Sequence, residues 1–421
     1  MEKNRQWVRL DNAAKIFPST SSKRDTKVFR FVCDLKEPVD KTVLQHALDK
    51  TIESFPLYRS VLKKGVFWYY FEESSYKPTV SEDTLPICAP LYDPYMHSLL
   101  FRVTYYKTRI NIETFHALSD GAGAIQFLRT IVCRYIEEKY GLAPHKLEEN
   151  SSLFQKNVDA FYKYYDKTKT IPKHSSARAY HIRGERNYME RLGVIIGNMS
   201  AKEIIGHAHS FGATVSEFLI ANFICAICDN MAVRERKRPI VVSVPVNLRQ
   251  FFPTTTSRNF FGVISVDYTM PPEGYTFEDV LEQVKLSFKT KLTKETAEGI
   301  ISKFSALEAN PVVRAVPLFL KVPVLRVVNE IVNDRNTTSF SNLGRIIIPE
   351  DAAKYINSFN VFLSARRPQI CLCTFNDDLS IGVTSPFTDA HVEQSFFKRL
   401  ASHGIDVEVI SNHNQLNGEG E

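Results

Sequence analysis

The sequence predicts an α/β protein with two halves, each a mixed β-sheet flanked by helices. Strand-like alternation and helix-like periodicity of apolar residues follow one another along most of the 421 residues. A polar stretch at about 145–184 interrupts this order, and we treat it as a linker. The halves then span residues 1–170 and 185–421, and 44% hydrophobic residues suffice for a sizeable core.

The N-terminal half begins with a strand and a helix. Residues 27–35 alternate apolar and polar side chains, which indicates a strand. Asp40 is placed to cap a following helix, and Pro56 ends it. Further strands are predicted at 65–73, 99–106 and 109–115, the last two joined as a hairpin at Lys107 and Thr108. An amphipathic helix then runs from the glycines after Asp120 to Gly141.

The C-terminal half restarts with two capping boxes. Ser200 with Glu203, and Thr214 with Glu217, have the spacing that satisfies free N–H groups at a helix start. Strands are predicted at 239–248, 262–270, 337–349, 359–366, 369–375, 379–385 and 405–410, and helices at 276–292 and 389–404.

One apolar segment, 312–332, comes closest to a membrane span. Arg314, Lys321, Arg326 and two prolines interrupt it, so it lacks the run of about 18 uncharged residues that a span requires. We predict a core or lid segment here, with a helix on a membrane surface as the alternative.

Charge and cysteine content narrow the class of protein. The net charge of +6 comes without a basic stripe, which argues against nucleic-acid binding but allows a cleft for a phosphorylated ligand. Seven scattered cysteines and no apolar leader predict a cytoplasmic protein. The pairs at 225–228 and 371–373 lie in apolar runs, so we expect core cysteines rather than a redox or zinc site, and no metal.

The stretch FHALSDGAGA, residues 115–124, contains the candidate chemistry. A strand that ends in a glycine turn holds His116 rigidly, and an imidazole there can accept a proton near neutral pH. Gly121 and Gly123 allow close approach of the backbone or a positive φ. Asp120 could orient the imidazole, pair with an arginine, or cap the next helix. The spacing alone equally allows a core histidine beside a capping aspartate, or a metal pair for which no further ligands appear.

His116, Asp120 and Gly121 form an HxxxDG motif, which resembles that of the CoA-dependent acyltransferase superfamily with the chloramphenicol-acetyltransferase fold. Three more segments follow the same order. Residues 243–263 resemble the strand and arginine of the family with its Asn/Gly turn. Residues 339–349 and the opening WVRLDNAAKIFPS are similar to the alcohol-acetyltransferase branch. The resemblance covers most of the chain.

The resemblance implies two chloramphenicol-acetyltransferase-like domains with the active-site tunnel between them. His116 would act there as general base while a hydroxyl or amine of a small-molecule acceptor attacks a thioester. The donor would be acyl-CoA as co-substrate, or an acyl carrier protein, with no permanently bound cofactor.

The resemblance also suggests roles for other polar residues. Arg249 would form a structural ion pair with Asp120, unless it is a surface charge at a strand end. Ser341 and Asn342 are candidate donors to the oxyanion, or ordinary strand residues. Asn247 and Asn259 would line the pocket, although turn formation explains Asn259 equally well.

Two departures from the family patterns bear on the reaction. Condensation domains carry a second histidine before the catalytic one, and Phe115 occupies that position here. The DFGWG motif of the plant enzymes is absent, although the SNLG segment at 341–344 resembles it in its place along the chain. The alternatives to an acyltransferase using free CoA are a condensation-like domain with carrier-bound substrates and a catalytically silent binding module.

Overall fold

The computed structural model describes residues 7–147, 159–169 and 177–412; parts of the predicted linker therefore lie outside the described residues. The strands are β1 (Trp7–Arg9), β2 (Val28–Leu35), β3 (Ser60–Lys64), β4 (Tyr69–Glu73), β5 (Ser81–Glu82), β6 (Phe101–Tyr106), β7 (Arg109–Phe115), β8 (Gly193–Ser200), β9 (Ile240–Asn247), β10 (Phe261–Tyr268), β11 (Thr338–Arg345), β12 (Ile356–Leu363), β13 (Gln369–Phe375), β14 (Asp378–Ser385) and β15 (Glu408–Ser411). The helices are α1 (Phe17–Thr20), α2 (Lys41–Ser54), α3 (Gly121–Tyr140), α4 (Ala160–Lys163), α5 (Ala201–Ser210), α6 (Val215–Asp229), α7 (Phe277–Lys291), α8 (Lys294–Ala309), α9 (Pro311–Ala315), α10 (Leu318–Asp334), α11 (Glu350–Ala353) and α12 (His391–Ser402).

The first core surrounds a five-stranded sheet in the order β12-β2-β7-β6-β5. Helices α2 and α3 pack on each other and contribute apolar residues to this core. The strand β12 comes from the C-terminal half of the sequence and pairs antiparallel with β2. The C-terminal half of the chain therefore contributes one strand to the sheet of the N-terminal half.

The second core surrounds a seven-stranded sheet in the order β10-β9-β11-β13-β14-β8-β15. β11 runs parallel to both β9 and β13, while the other pairs are antiparallel, so the sheet is mixed as predicted. Helix α6 packs between α7 and α12, and its cysteines Cys225 and Cys228 are buried free thiols. A smaller sheet, β1-β4-β3, lies beside the first core.

The capping residues explain where the main helices begin. Asp40 accepts hydrogen bonds from the N–H groups of Thr42 and Val43 at the start of α2. Thr214 and Glu217 form the complete capping box of α6. The box of α5 is only half formed, because Ser200 accepts from the Glu203 N–H while Glu203 does not return a bond.

Residues 312–332 do not form a core segment, so that part of the expectation is wrong, while the lid and the membrane-surface helix stay predictions. They fold as α9 and α10, and most of the apolar side chains of α10 are exposed. Among the described residues no single helix has the length and hydropathy to cross a membrane. Only α5 and α6 taken together pass that test, and they meet at a 79° bend.

A histidine joins the end of α3 to α11. The imidazole of His145 lies 2.7 Å from Glu137 through Nδ1 and 2.7 Å from Asp351 through Nε2. Burial lowers the pKa of His145, but the two carboxylates raise it more, so the net shift is upward.

Candidate active site

A cavity of about 140 Å³ lies between the two large sheets. One wall comes from β2 and β12 of the five-stranded sheet, and the other from β9, β10, β11 and β13 of the seven-stranded sheet. The predicted site residues that line it are His116, Asp120, Gly121, Asn247, Arg249, Ser341 and Asn342. Asn259 is not part of the wall and contacts His116 from behind. The fold thus brings together residues that are far apart in sequence.

His116 follows the last residue of β7, and the structure fixes both its backbone and its ring. Its N–H donates to the carbonyl oxygen of Lys27 at 2.8 Å. Phe17 stacks on the imidazole with ring centroids 4.4 Å apart, while Phe29 and Phe261 lie at 5.3 and 5.4 Å. Burial among these rings lowers the pKa of His116, because the charged imidazolium is poorly solvated there. The imidazole is therefore neutral at neutral pH and able to accept a proton.

The hydrogen bonds of Asn259 determine which nitrogen of His116 carries its proton. Asn259 Oδ1 lies 3.2 Å from His116 Nδ1. The other end of the amide, Nδ2, faces two acceptors, Asp11 Oδ2 at 3.3 Å and the Ala117 carbonyl oxygen at 3.4 Å. Because both are acceptors, the amide nitrogen must face them and the amide oxygen must face the ring. Nδ1 is then the protonated nitrogen, and Nε2 has the free lone pair.

Asp11 is a buried carboxylate behind this pair that the sequence analysis did not identify. It is 1% exposed, accepts the Ala14 N–H at 2.7 Å and lies 3.7 Å from Arg258 Nε. Burial raises the pKa of Asp11 to about 6, although Arg258 opposes the shift. The only signal in the sequence was the polar Asp11-Asn12 pair inside an otherwise apolar opening segment.

Asp120 serves as helix cap and ion-pair partner at once. Its side chain accepts the Gly123 N–H at 2.9 Å at the start of α3. Arg249 donates to both carboxylate oxygens, at 2.8 and 3.3 Å, and the Phe260 N–H donates at 2.8 Å. Among the described residues no hydrogen bond joins Asp120 to His116. The carboxylate therefore fastens α3 to the opposite half rather than orienting the imidazole.

Arg249 holds the loop that precedes β10. Its guanidinium donates to the carbonyl oxygens of Thr256 and Arg258 at 3.0 and 2.7 Å. Asn247 accepts the Arg249 N–H at 3.1 Å and Nη1 at 3.2 Å, so this exposed amide positions the arginine. The loop carries Asn259, so the ion pair with Asp120 also sets the position of the residue that orients His116.

Gly121 and Gly123 matter because of close packing rather than backbone conformation. Neither has a positive φ, so of the two expected reasons for glycine only the close approach of the backbone applies. A Cβ on Gly123 would lie 2.0 Å from the Ser257 carbonyl oxygen, and one on Gly121 would lie 2.5 Å from a methyl carbon of Leu343. Ser119 Oγ also donates to the Ser257 carbonyl oxygen at 2.6 Å, so backbone from both halves meets at this turn.

Ser341 and Asn342 both line the cavity but differ in the state of their side chains. Asn342 donates its amide to Ser216 Oγ at 2.9 Å and accepts the Gly344 N–H at 2.8 Å. The hydroxyl of Ser341 has no hydrogen-bond partner within the described part of the chain. Ser341 is therefore the more available donor of the two.

The comparisons with known proteins concern the fold. Neither a family model nor a curated protein matches this sequence. TRI101 of F. graminearum, solved as a complex with Coenzyme A and deoxynivalenol, is 10% identical with a TM-score of 0.64, covering 94% of this chain and 97% of that one. TRI3 trichothecene 15-O-acetyltransferase from Fusarium sporotrichioides is 11% identical with a TM-score of 0.58, covering 94% of each chain.

A third solved structure represents a different class of protein. The first condensation domain of the CDA synthetase is 14% identical with a TM-score of 0.60, covering 94% of this chain and 96% of that one. At these identities the likeness concerns the fold alone. The predicted fold class is confirmed: this chain has the two-domain, chloramphenicol-acetyltransferase-like fold of acetyltransferases and condensation domains.

Proposed function

We propose that this chain transfers an acyl group from a CoA or phosphopantetheine thioester to a hydroxyl or amine, with His116 as the general base. The observation that carries the proposal is the state of the imidazole in the cavity between the sheets. Its Nδ1 is held by Asn259, and its Nε2 has no hydrogen bond within the described residues. A neutral ring with one free nitrogen beside a cavity can take a proton from an acceptor.

The reaction proceeds by direct transfer. Nε2 of His116 takes the proton as the acceptor oxygen or nitrogen attacks the thioester carbonyl carbon. The tetrahedral intermediate then expels the thiolate, which takes the proton back from the imidazolium. Ser341 donates a hydrogen bond to the oxyanion, and Asn342 takes this role only if it releases Ser216. No covalent enzyme intermediate forms.

The remaining site residues position these groups. Asp11 orients Asn259, and Asn259 fixes the tautomer of His116. Asp120 and Arg249 hold the loop and α3 together, with Asn247 supporting Arg249. Bringing donor and acceptor to one imidazole reduces the entropic cost of the bimolecular step.

The surroundings of the cavity favour free CoA over a condensation reaction. Phe115, which stands where condensation domains have their second histidine, is fully buried and stacks on Tyr92 at 5.3 Å. It therefore gives no second imidazole to the cavity. All seven cysteines are free and buried, which supports a reducing, cytoplasmic location.

The test is thiol release from acetyl-CoA and longer acyl-CoAs in the presence of pooled alcohols and amines. We expect release that requires an acceptor and falls by about 10²–10⁴-fold in His116→Ala. His403→Ala is a matched control. His403 also has a lowered pKa from burial, lies against Phe211 and Phe277, and pairs with an asparagine at 3.1 Å, but it does not line the cavity.

Two outcomes would contradict the proposal. Equal loss of activity in both variants would attribute the effect to packing, and full activity of His116→Ala would remove the general base. If every free acyl-CoA is inactive, acyl groups loaded on a carrier protein are the next donor. If those also fail, the chain is a silent binding module.

A further inference from the structure

The outward face of α10 is apolar along its whole length. The helix packs inward through Leu318 and through Lys321, whose Nζ lies 3.7 Å from the ring centroid of Trp68. Seven apolar side chains on the other side are between 46% and 65% exposed, and we call them the apolar ridge: Phe319, Leu320, Val324, Val327, Val328, Ile331 and Val332. A surface helix normally presents polar residues outward, so this arrangement is inverted.

The ridge continues onto the neighbouring turn between β3 and β4. The N–H of Leu318 donates to the carbonyl oxygen of Val66 at 2.7 Å, which places that turn against the start of α10. Val66 and Phe67 are 70% and 45% exposed. A contiguous exposed apolar surface of this kind is typical of an interaction site rather than of scattered surface residues.

The charged groups around the ridge are predominantly positive. Glu330 and Asp334, the carboxylates of α10, are ion-paired with Arg366 at 2.6 Å and Arg178 at 3.1 Å. The exposed cations Lys23, Arg314, Arg326 and Arg335 have no ion pair within the described ranges of the chain. They lie at both ends of α10 and along the flank where α1 packs. The surface therefore combines an apolar ridge with a cationic rim.

We propose that the apolar ridge binds the surface of an anionic lipid bilayer, with α10 lying in the plane of the interface. An apolar helix face and a basic rim are the two attractions that hold a peripheral helix on such a surface. Valine, isoleucine and phenylalanine enter the boundary between headgroups and acyl chains, while the rim contacts lipid phosphates.

A second copy of the chain fits this surface less well. A helix of 17 residues is about 26 Å long and about 10 Å wide, so its face has a footprint of about 260 Å². A stable dimer buries about 800 Å² on each partner. Two-fold symmetry would also place the cationic rim against itself. A bilayer needs no matching groove and carries the opposite charge.

The test is co-sedimentation of the full chain with vesicles of phosphatidylcholine alone and of phosphatidylcholine containing phosphatidylglycerol. We expect binding to the anionic vesicles that weakens with added salt. The double substitution Val327→Asp with Ile331→Asp should lower the partition coefficient about tenfold or more. The matched control, Val233→Asp with Ile410→Asp, changes the same residue types at positions elsewhere that are at least as exposed, and it should bind as the wild type does.

Circular dichroism and gel filtration complete the experiment. Both double variants should keep the wild-type spectrum and elution volume. Absence of wild-type binding to anionic vesicles, or equal binding by the ridge variant, would overturn the proposal. A wild-type dimer that the ridge substitutions convert to a monomer would assign the ridge to self-association instead. Binding is measured without substrates, so failure of the acyl-transfer proposal does not affect the result.

Discussion

Removal of the Asp120 carboxylate should destabilise the protein far more than the loss of a helix cap alone. Asp120→Ala removes a cap, which costs about 1 kcal/mol. It also breaks an ion pair whose side chains are only 5% and 11% exposed, and breaking such a pair costs about 3–5 kcal/mol. The Phe260 N–H loses its acceptor as well. Because Arg249 keeps two carbonyl acceptors, we expect a total loss of about 4–5 kcal/mol.

Asp40→Ala is the matched control for this prediction. Asp40 caps α2 through two N–H groups and is exposed, so its removal should cost only about 1 kcal/mol. The measurement is the free energy of unfolding from urea titrations followed by circular dichroism. The difference of about 3–4 kcal/mol between the variants is the contribution of the tertiary contacts. If Asp120→Ala is no less stable than Asp40→Ala, the carboxylate does not fasten the two halves.

Three further predictions follow from the same structure. Gly123→Ala should lower the melting temperature, because its Cβ would lie 2.0 Å from the backbone carbonyl oxygen of Ser257. Gly206→Ala, which has open space around it, should instead add up to about 1 kcal/mol of stability. Equal effects of the two substitutions would contradict the packing argument. The hydrogen bond from Asn259 raises the pKa of His116, so Asn259→Ala should move the acid limb of the kcat/KM profile to lower pH. It should also lower kcat by up to about tenfold, because the ring loses the bond that orients it. An unchanged pH profile would show that Asn259 does not position His116. The pKa of His145 is raised in the folded state, so its stabilising effect is complete below the unfolded pKa of about 6.5 and is lost as pH rises through the folded pKa. His145→Gln should therefore lower the free energy of unfolding more at about pH 5.5 than at about pH 8.5. A loss that does not depend on pH would refute the assignment.

The sequence by itself determined the local elements and the candidate base. The start of α3 could be predicted because Asp120 caps it through an N–H three residues away. The strand that delivers His116 could be predicted because Ile110 and Ile112 alternate with polar residues along the sequence, although the structure buries both faces of β7. These signals depend on contacts within a few residues, so the chain order alone contains them. The ion pair of Asp120 with Arg249 came only from the resemblance of several segments to one family.

Only the tertiary structure decided which distant groups meet at the site. Asn259 reaches His116 across 143 residues, and Asp11 reaches Asn259 across 248. No pattern near these residues indicates the contacts, because they depend on how the two sheets pack. The same holds for α10, where the periodicity of the sequence predicts an apolar face but not whether that face points to the core or to solvent. Which side of a helix is buried depends on what packs against it. In this chain the rest of the protein packs against the side of α10 opposite to the apolar ridge.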